Sequence, residues 1–368
     1  LTRGDVMEAA AYLRAAGVGG QVMVTWQRRG KVAQTSVTLA RNPWQGKDDP
    51  DPDPALHRVV VETNVAYLAG RDADSRQHRL DLYSPASERA TPLLLWVHGG
   101  GWSLDSRESE RALALRFAER GVAVAAMSYR LSASRWAKED GAETGVVHPA
   151  HVNDVADAFL WLYTNAPRLN IDPSALFVGG HSAGGHLAAL LASDPAYLKA
   201  RGLGVSTVAG ALPIGGAYDI PDYHAALRKG DKELAEAHIR AVFGRSKDTW
   251  RDASPTEDLA KSAVPMLVVV EDQKAFQGYA RQLKKAAKRA RRTNIELLDA
   301  DDRTHGNVLL LMSGRHEDEI RARMLEFMHQ TRSQVAFRNP GSKKAASATR
   351  RRQSVTHTSA RSDPLETS

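Results

Sequence analysis

The chain has 368 residues, enough for one large α/β domain with appendages and a substantial buried core. It contains no cysteine, which excludes disulfides, thiolate metal sites and a cysteine nucleophile. No run of 18 apolar residues is present, so no membrane-spanning segment is expected. Residues 333–368 carry +5 of the net charge of +7. The rest of the chain is therefore nearly balanced in charge, which predicts no nucleic-acid partner. The Ser/Thr/Ala-rich tail predicts a disordered basic extension.

The N-terminal segment shows an amphipathic helix at 5–13, followed by strands of alternating polarity at 21–26 and 35–39. This order resembles the last helix and final hairpin of a PDZ domain. The resemblance covers about the C-terminal half of such a domain and lacks its peptide-binding loop, so it implies no peptide binding. A hairpin packed on the main domain is the equal alternative.

A proline- and aspartate-rich stretch separates this segment from the main domain. Because it can join neither a helix nor a central strand, it predicts a linker. The chain is therefore predicted to divide into residues 1–41 (helix and hairpin), 42–56 (linker), 57–332 (catalytic domain) and 333–368 (basic tail).

The main domain alternates strands and helices. The run at 92–97 is apolar without alternation, which indicates a strand buried on both faces of a parallel sheet. Strands are predicted at 57–68, 79–83, 92–97, 122–129, 176–180, 208–214, 265–270 and 294–298, and helices at 107–119, 150–165, 183–193, 274–292 and 317–331. These repeated units predict a doubly wound, mostly parallel α/β sheet with helices on both faces.

Ser182 is the predicted nucleophile. It lies at the centre of Gly-His-Ser-Ala-Gly, residues 180–184, which matches the G-x-S-x-G nucleophile elbow. An apolar strand at 175–178 precedes this motif and a helix-forming run at 187–192 follows it. That strand–turn–helix context is the one in which the elbow exposes a serine hydroxyl above a sheet.

A second motif, His-Gly-Gly-Gly-Trp, follows the buried strand at 92–97. Its glycines leave backbone N–H groups unobstructed, so Gly99 and Gly100 are predicted to bind an oxyanion together with the N–H of Ala183. His98 is expected to brace this loop rather than to exchange protons.

These motifs together resemble α/β-hydrolases of the esterase/lipase superfamily, in the branch near carboxylesterases and kynurenine formamidases. The resemblance extends over about residues 60–328 and includes residues 80–85, 128–131 and 254–255. It implies an α/β-hydrolase fold with small cap insertions and a triad in the order serine, acid, histidine. The kynurenine formamidase loop has tyrosine where Gly101 stands, which favours an ester hydrolase.

The remaining triad members are expected at the ends of later strands. Asp272 follows the strand at 265–270 and is the predicted acid, with the adjacent Glu271 as the alternative. His305, in the loop after the strand at 294–298, is the predicted general base. The other histidines of this region, His186, His316 and His329, are expected to pack or to lie on the surface.

The predicted function is hydrolysis of small to moderately sized carboxylic esters through an acyl-enzyme. The insertions at 132–148 and 217–251 are too short for a large lid. An N-formyl amide hydrolase is the first alternative and a non-catalytic binding module the second. No cofactor is expected, and no metal, because Asp299, Asp301 and Asp302 lack the spacing of a calcium loop. Compartment and oligomeric state stay open: no signal-peptide pattern is present, and a start at Leu1 is expected of a processed or truncated chain.

Overall fold

An antiparallel hairpin opens the part of the chain that the computed structural model describes, residues 21–28, 31–38, 56–70, 73–133, 145–314 and 317–338. Strands β1 (Gln21–Arg28) and β2 (Lys31–Thr38) pair over their full length and form a two-stranded sheet of their own. The predicted hairpin is therefore present. The predicted helix before it and, up to residue 55, the predicted linker after it lie outside the described residues. The PDZ-like interpretation stays a prediction.

An eight-stranded, mostly parallel sheet forms the centre of the main domain. Its strands are β3 (Val59–Ala66), β4 (Arg79–Pro85), β5 (Thr91–Val97), β6 (Ala123–Met127), β7 (Ile171–His181), β8 (Val208–Ile214), β9 (Met266–Glu271) and β10 (Ile295–Ala300). Across the sheet the order is β10-β9-β8-β7-β5-β6-β4-β3. Strand β4 runs antiparallel to β3 and β6, and the other pairs are parallel. The predicted doubly wound sheet is confirmed.

Helices cover the sheet and connect its strands. They are α1 (Arg111–Ala118), α2 (Ala150–Asn165), α3 (Ala183–Ser193), α4 (Ala196–Lys199), α5 (Ile220–Arg228), α6 (Lys232–Phe243), α7 (Lys247–Asp252), α8 (Pro255–Asp258), α9 (Lys274–Arg289), α10 (Val308–Gly314) and α11 (Glu319–Arg338). The insertion predicted at 217–251 forms α5, α6 and α7, whereas much of the one at 132–148 lies outside the described residues. Helix α11 continues past the predicted boundary at residue 332. No helix within the described ranges has the length and apolarity needed to cross a bilayer.

Burial of both faces of β5 explains why its sequence does not alternate between apolar and polar residues. Leu93, Leu95 and Val97 belong to one hydrophobic core, and Leu94 and Trp96 belong to a second core on the opposite face. Helices α2, α3 and α9 contribute to the first core, and α1, α10 and α11 contribute to the second. Each fully buried leucine stabilises the fold by roughly 1.5–3 kcal/mol. Two covered faces therefore hold β5 in place just before the His-Gly-Gly-Gly-Trp loop.

The carboxyl ends of the parallel strands meet at one edge of the sheet. Strand β5 ends at Val97, β7 at His181, β8 at Ile214 and β9 at Glu271. Because parallel strands share a direction, the loops that follow them converge at this edge, where open α/β sheets commonly bind ligands. The predicted nucleophile, oxyanion loop and acid all lie there.

Candidate active site

Ser182 lies on a strained turn between β7 and α3. Its backbone adopts φ 57° and ψ −117°, in the positive-φ region that residues with a Cβ rarely occupy. The N–H of Ser182 donates to the carbonyl of Ile214 at 2.8 Å, and its carbonyl accepts from the N–H of His186 at 3.0 Å. These bonds tie the strained residue to β8 and to the first turn of α3, so its hydroxyl is fixed at the sheet edge.

The glycines on either side of the serine are required by close backbone contact. A Cβ at Gly180 would lie 2.5 Å from the carbonyl oxygen of Val97, and a Cβ at Gly184 would overlap the same oxygen. Backbone atoms cannot yield as a flexible side chain can. The turn therefore excludes every residue with a side chain at these two positions.

We expect Gly184→Ala to destabilise the fold severely, by more than about 3 kcal/mol, because the added methyl group forces β5 and α3 apart. Chemical denaturation of the purified variant measures the change. The control is Gly278→Ala within α9, where the nearest atom to an added Cβ lies 3.9 Å away. That change should stabilise the protein by about 0.5–1 kcal/mol. Equal behaviour of the two variants would contradict the steric argument.

His305 links the serine to a buried carboxylate. Its Nε2 lies 2.9 Å from Oγ of Ser182, and its Nδ1 lies 3.1 Å from Oε1 of Glu271. The backbone N–H of His305 donates to Oε1 of Gln273 at 2.9 Å, and the ring of Phe276 stacks on the imidazole with centroids 4.0 Å apart. An ionised carboxylate only accepts hydrogen bonds, so Nδ1 carries the proton and Nε2 is free to accept from the serine.

Glu271 is the last residue of β9, and its side chain is fully buried. Burial by itself raises the pKa of this carboxyl, but the interactions with the imidazoles of His181 and His305 outweigh it and lower the pKa of Glu271 to about 2. Space for the carboxylate comes from Gly215, just after β8, where a Cβ would overlap the carboxylate oxygens. The acid is therefore charged at neutral pH and held in a slot that glycine leaves open.

The oxyanion loop lies directly beside the serine. A Cβ at Gly99 would be 3.4 Å from Cβ of Ser182, and Gly100 has φ 89°, which favours glycine. Among the described turns and loops, no backbone hydrogen bond uses the N–H of Gly99 or Gly100. Ala183 is the first residue of α3, where a backbone N–H has no acceptor within the helix. These three N–H groups are the ones available to an oxyanion.

Comparison with known proteins identifies the family of this chain. The family model BD-FAE matches residues 80–276, more than half of the chain. The chain belongs to the BD-FAE family. The match contains the oxyanion loop, the elbow and Glu271, and it ends before His305, so the histidine rests on the geometry described above.

Individual relatives of this BD-FAE protein include two bacterial ester hydrolases. Esterase LipC of Mycobacterium tuberculosis is 31% identical over 188 residues, which cover 49% of this chain and 44% of LipC. Ethyl acetate hydrolase of Pseudomonas putida is 37% identical over 196 residues, which cover 51% of this chain and 54% of that enzyme. The chain thus spans about half the length of these two relatives.

The solved structure of esterase B from Lactobacillus rhamnosis superposes on the chain with a TM-score of 0.62. The superposition covers 80% of this chain and 91% of that one at 20% sequence identity. At this identity the likeness concerns the fold alone, and it confirms the α/β-hydrolase architecture.

The carboxylate that contacts His305 in the BD-FAE protein differs from the one predicted from sequence. Asp272, the expected acid, is exposed, and its Oδ1 accepts from Nε2 of Gln277 at 3.3 Å, whereas Glu271, the alternative, contacts His305. Glu271 pairs with Ala300 of β10 within the sheet, and its carboxylate occupies the space beside Gly215, just after β8. Asp272 begins the loop that turns toward α9. The sequence signal for this choice is Gly215. Only the fold shows that its missing side chain leaves room for the carboxylate of Glu271.

Tyr129 supports the predicted oxyanion loop, a role that the match at residues 128–131 does not indicate. Its hydroxyl donates to the carbonyls of His98 at 3.3 Å and Gly99 at 3.1 Å, and its ring stacks on His98 at 4.3 Å. Those carbonyls belong to the two peptide units that carry the N–H groups of Gly99 and Gly100. Anchoring each C=O therefore orients the opposite N–H, because a trans peptide is planar.

We expect Tyr129→Phe to lower kcat about tenfold with little change in KM, since one hydrogen bond of about 1–1.5 kcal/mol no longer holds the donors in place. Burial raises the pKa of Tyr129 well above its ordinary value, so the hydroxyl is a permanent donor. Steady-state kinetics with a p-nitrophenyl ester provides the measurement. The control is Tyr163→Phe, a half-buried position in α2 outside this loop. Equal kcat values for both variants would contradict the anchoring role.

Two further groups that contain histidine lie near Ser182 in the BD-FAE protein. His186 packs in the core: its Nε2–H donates to the carbonyl of Ala253 at 2.7 Å, its Nδ1 accepts from Trp102, and burial lowers its pKa to about 3. His181, Glu271 and His305 are described residues whose ligand-type atoms, within 4.8 Å of one another, could hold a metal ion. Because His305 bonds both Ser182 and Glu271, we interpret the group as a proton-transfer site.

Proposed function

We propose that this protein is a serine hydrolase that cleaves small to moderately sized carboxylic esters through an acyl-enzyme. One observation carries the proposal: Ser182, His305 and Glu271 form a continuous hydrogen-bonded relay, with separations of 2.9 Å and 3.1 Å, at the nucleophile elbow. Serine, imidazole and carboxylate in this geometry are the arrangement that activates a hydroxyl for acyl transfer.

The relay defines the steps. Oγ of Ser182 attacks the ester carbonyl while Nε2 of His305 takes the hydroxyl proton, and Glu271 stabilises the imidazolium that forms. The backbone N–H groups of Gly99, Gly100 and Ala183 bind the oxyanion of the tetrahedral intermediate. His305 then returns the proton to the departing alcohol. In the second half, His305 activates water, which attacks the acyl-enzyme and releases the acid.

The expected substrate size follows from the helices after β8. Tyr223 of α5 contacts both Trp102, next to the oxyanion loop, and Tyr279 of α9, each with ring centroids 5.9 Å apart. These contacts form a row of three aromatic rings from the end of the loop to α9, and we infer that this row limits the room for a long acyl chain. The name of the Pseudomonas relative, ethyl acetate hydrolase, also points to a small ester.

A series of p-nitrophenyl esters from acetate to palmitate tests the proposal. We expect burst kinetics, covalent labelling of Ser182 by a fluorophosphonate probe, and kcat/KM at least tenfold higher for acetate or butyrate than for palmitate. Faster turnover of N-formylkynurenine than of any ester would indicate the formamidase alternative. Absence of both turnover and labelling would favour a binding module.

A further inference from the structure

A second imidazole contacts the triad carboxylate. His181 is the last residue of β7 and directly precedes the nucleophile. Its Nε2 lies 3.4 Å from Oε1 of Glu271, the same oxygen that Nδ1 of His305 contacts at 3.1 Å. The two imidazole rings lie beside each other, with centroids 4.3 Å apart and planes inclined by 36°. One carboxylate oxygen therefore faces two histidine nitrogens.

The surroundings of His181 leave this carboxylate as its partner. Its Nε2 is buried and makes no hydrogen bond of normal geometry within the described part of the chain, and Oε1 of Glu271 lies 3.4 Å from it. Its Nδ1 lies toward Gly99, where a Cβ would be 3.5 Å from that nitrogen. The side chain is 13% exposed, and its position on a paired strand fixes its direction. A proton on Nε2 is therefore the arrangement that satisfies both the imidazole and Glu271.

We propose that His181 is a positioning residue that donates Nε2–H to Oε1 of Glu271 and thereby holds the carboxylate in place for His305. The inference rests on the proposed function, because it concerns the same triad. The contact matters because Glu271 has few other partners: its second oxygen, Oε2, is buried without a hydrogen bond within the described residues. Without His181, the fully buried carboxylate would be held by His305 alone.

The donation also sets how strongly Glu271 stabilises the imidazolium of His305. A hydrogen bond to Oε1 draws charge from the oxygen that faces His305, so its removal leaves more negative charge there and raises the pKa of His305. Three further titratable groups face or act on His181: Glu271 from β9, His305 from the loop after β10, and Glu110, whose charge reaches it from the turn before α1. If the pKa of His305 changes when the donor at position 181 is removed and returns when the donor is restored, the change is due to residue 181 and not to Glu271 or Glu110.

Two variants of His181 provide the test. His181→Leu removes the donor, and His181→Gln keeps an amide N–H near the position of Nε2. We expect His181→Leu to lower kcat about tenfold with KM within about threefold, and to move the acid limb of the kcat/KM profile about half a unit higher. His181→Gln should restore most of both. An unchanged limb in His181→Leu, or His181→Gln behaving like His181→Leu, would overturn the proposal.

An independent measurement keeps this test separate from the ester-hydrolase proposal. The wild type and both variants are labelled at histidine and titrated with pH by NMR. This titration reports the protonation of the His305 imidazole without any substrate. The titration midpoint of His305 should rise in His181→Leu and return in His181→Gln. If the wild type hydrolyses no ester, the proposed function fails, and the titration still decides whether His181 acts on Glu271. Identical midpoints in all three proteins would refute that action.

Discussion

Replacing Ser182 with alanine is expected to lower kcat/KM for p-nitrophenyl acetate by at least about 10⁴-fold. The alanine variant has no hydroxyl to attack the ester, and His305 has no proton to accept. Residual activity would come from the oxyanion N–H groups and from binding alone. Steady-state kinetics measures the loss, and the fluorophosphonate probe should leave the variant unlabelled.

Ser193→Ala is the matched control for this change. Ser193 lies at the end of α3, the helix that begins after Ser182, and its buried hydroxyl has no hydrogen-bond partner within the described residues. Losing an unpaired hydroxyl should leave kcat/KM within about twofold and stability equal or slightly higher. Full activity of Ser182→Ala, with Ser193→Ala also active, would contradict the assignment of the nucleophile.

Glu271→Gln is expected to reduce kcat about 10³-fold near pH 7, because a neutral amide stabilises neither the imidazolium of His305 nor the tautomer with a proton on Nδ1. The substitution keeps the size of the side chain, so the slot beside Gly215 stays filled. KM should change little, since Glu271 is buried beneath His305 and takes no part in holding the substrate. Comparison of kcat in the two proteins tests the expectation.

Asp272→Asn is the control that distinguishes the two carboxylates. Asp272 and Glu271 are adjacent in sequence, but only Glu271 contacts His305 among the described residues. Asp272 is exposed and bonds Gln277, so its amide variant should keep kcat within about threefold of the wild type. The reverse result, with Asp272→Asn inactive and Glu271→Gln active, would return the role of the acid to Asp272.

The pH dependence of stability gives a second test of Glu271. Its pKa is lowered from an ordinary 4.5 to about 2 in the folded protein, so the folded state binds fewer protons than the unfolded state between these values. The charge of Glu271 therefore stabilises the fold fully above about pH 4.5 and loses this effect as the pH falls toward 2. The difference in Tm between wild type and Glu271→Gln should shrink over that window. A constant difference would contradict the lowered pKa.

The sequence by itself determined the fold class and predicted the nucleophile. Both depend on local patterns: the unbroken apolar run of β5 reports burial on two faces, and the glycines beside Ser182 report a turn too tight for a Cβ. The order of strands and helices then predicted the doubly wound sheet. It also placed His305 after the last strand, where the structure brings it to Ser182.

Only the tertiary structure decided which carboxylate faces His305. Glu271 and Asp272 are neighbours at a strand end, and the choice depends on where each side chain points after the last paired residue and on the gap that Gly215 leaves across the sheet. The roles inferred for His181 and Tyr129 arise in the same way. Their partners lie 30 or more residues away along the chain, so no local pattern contains them. Packing of separate strand ends at one edge of the sheet created these contacts.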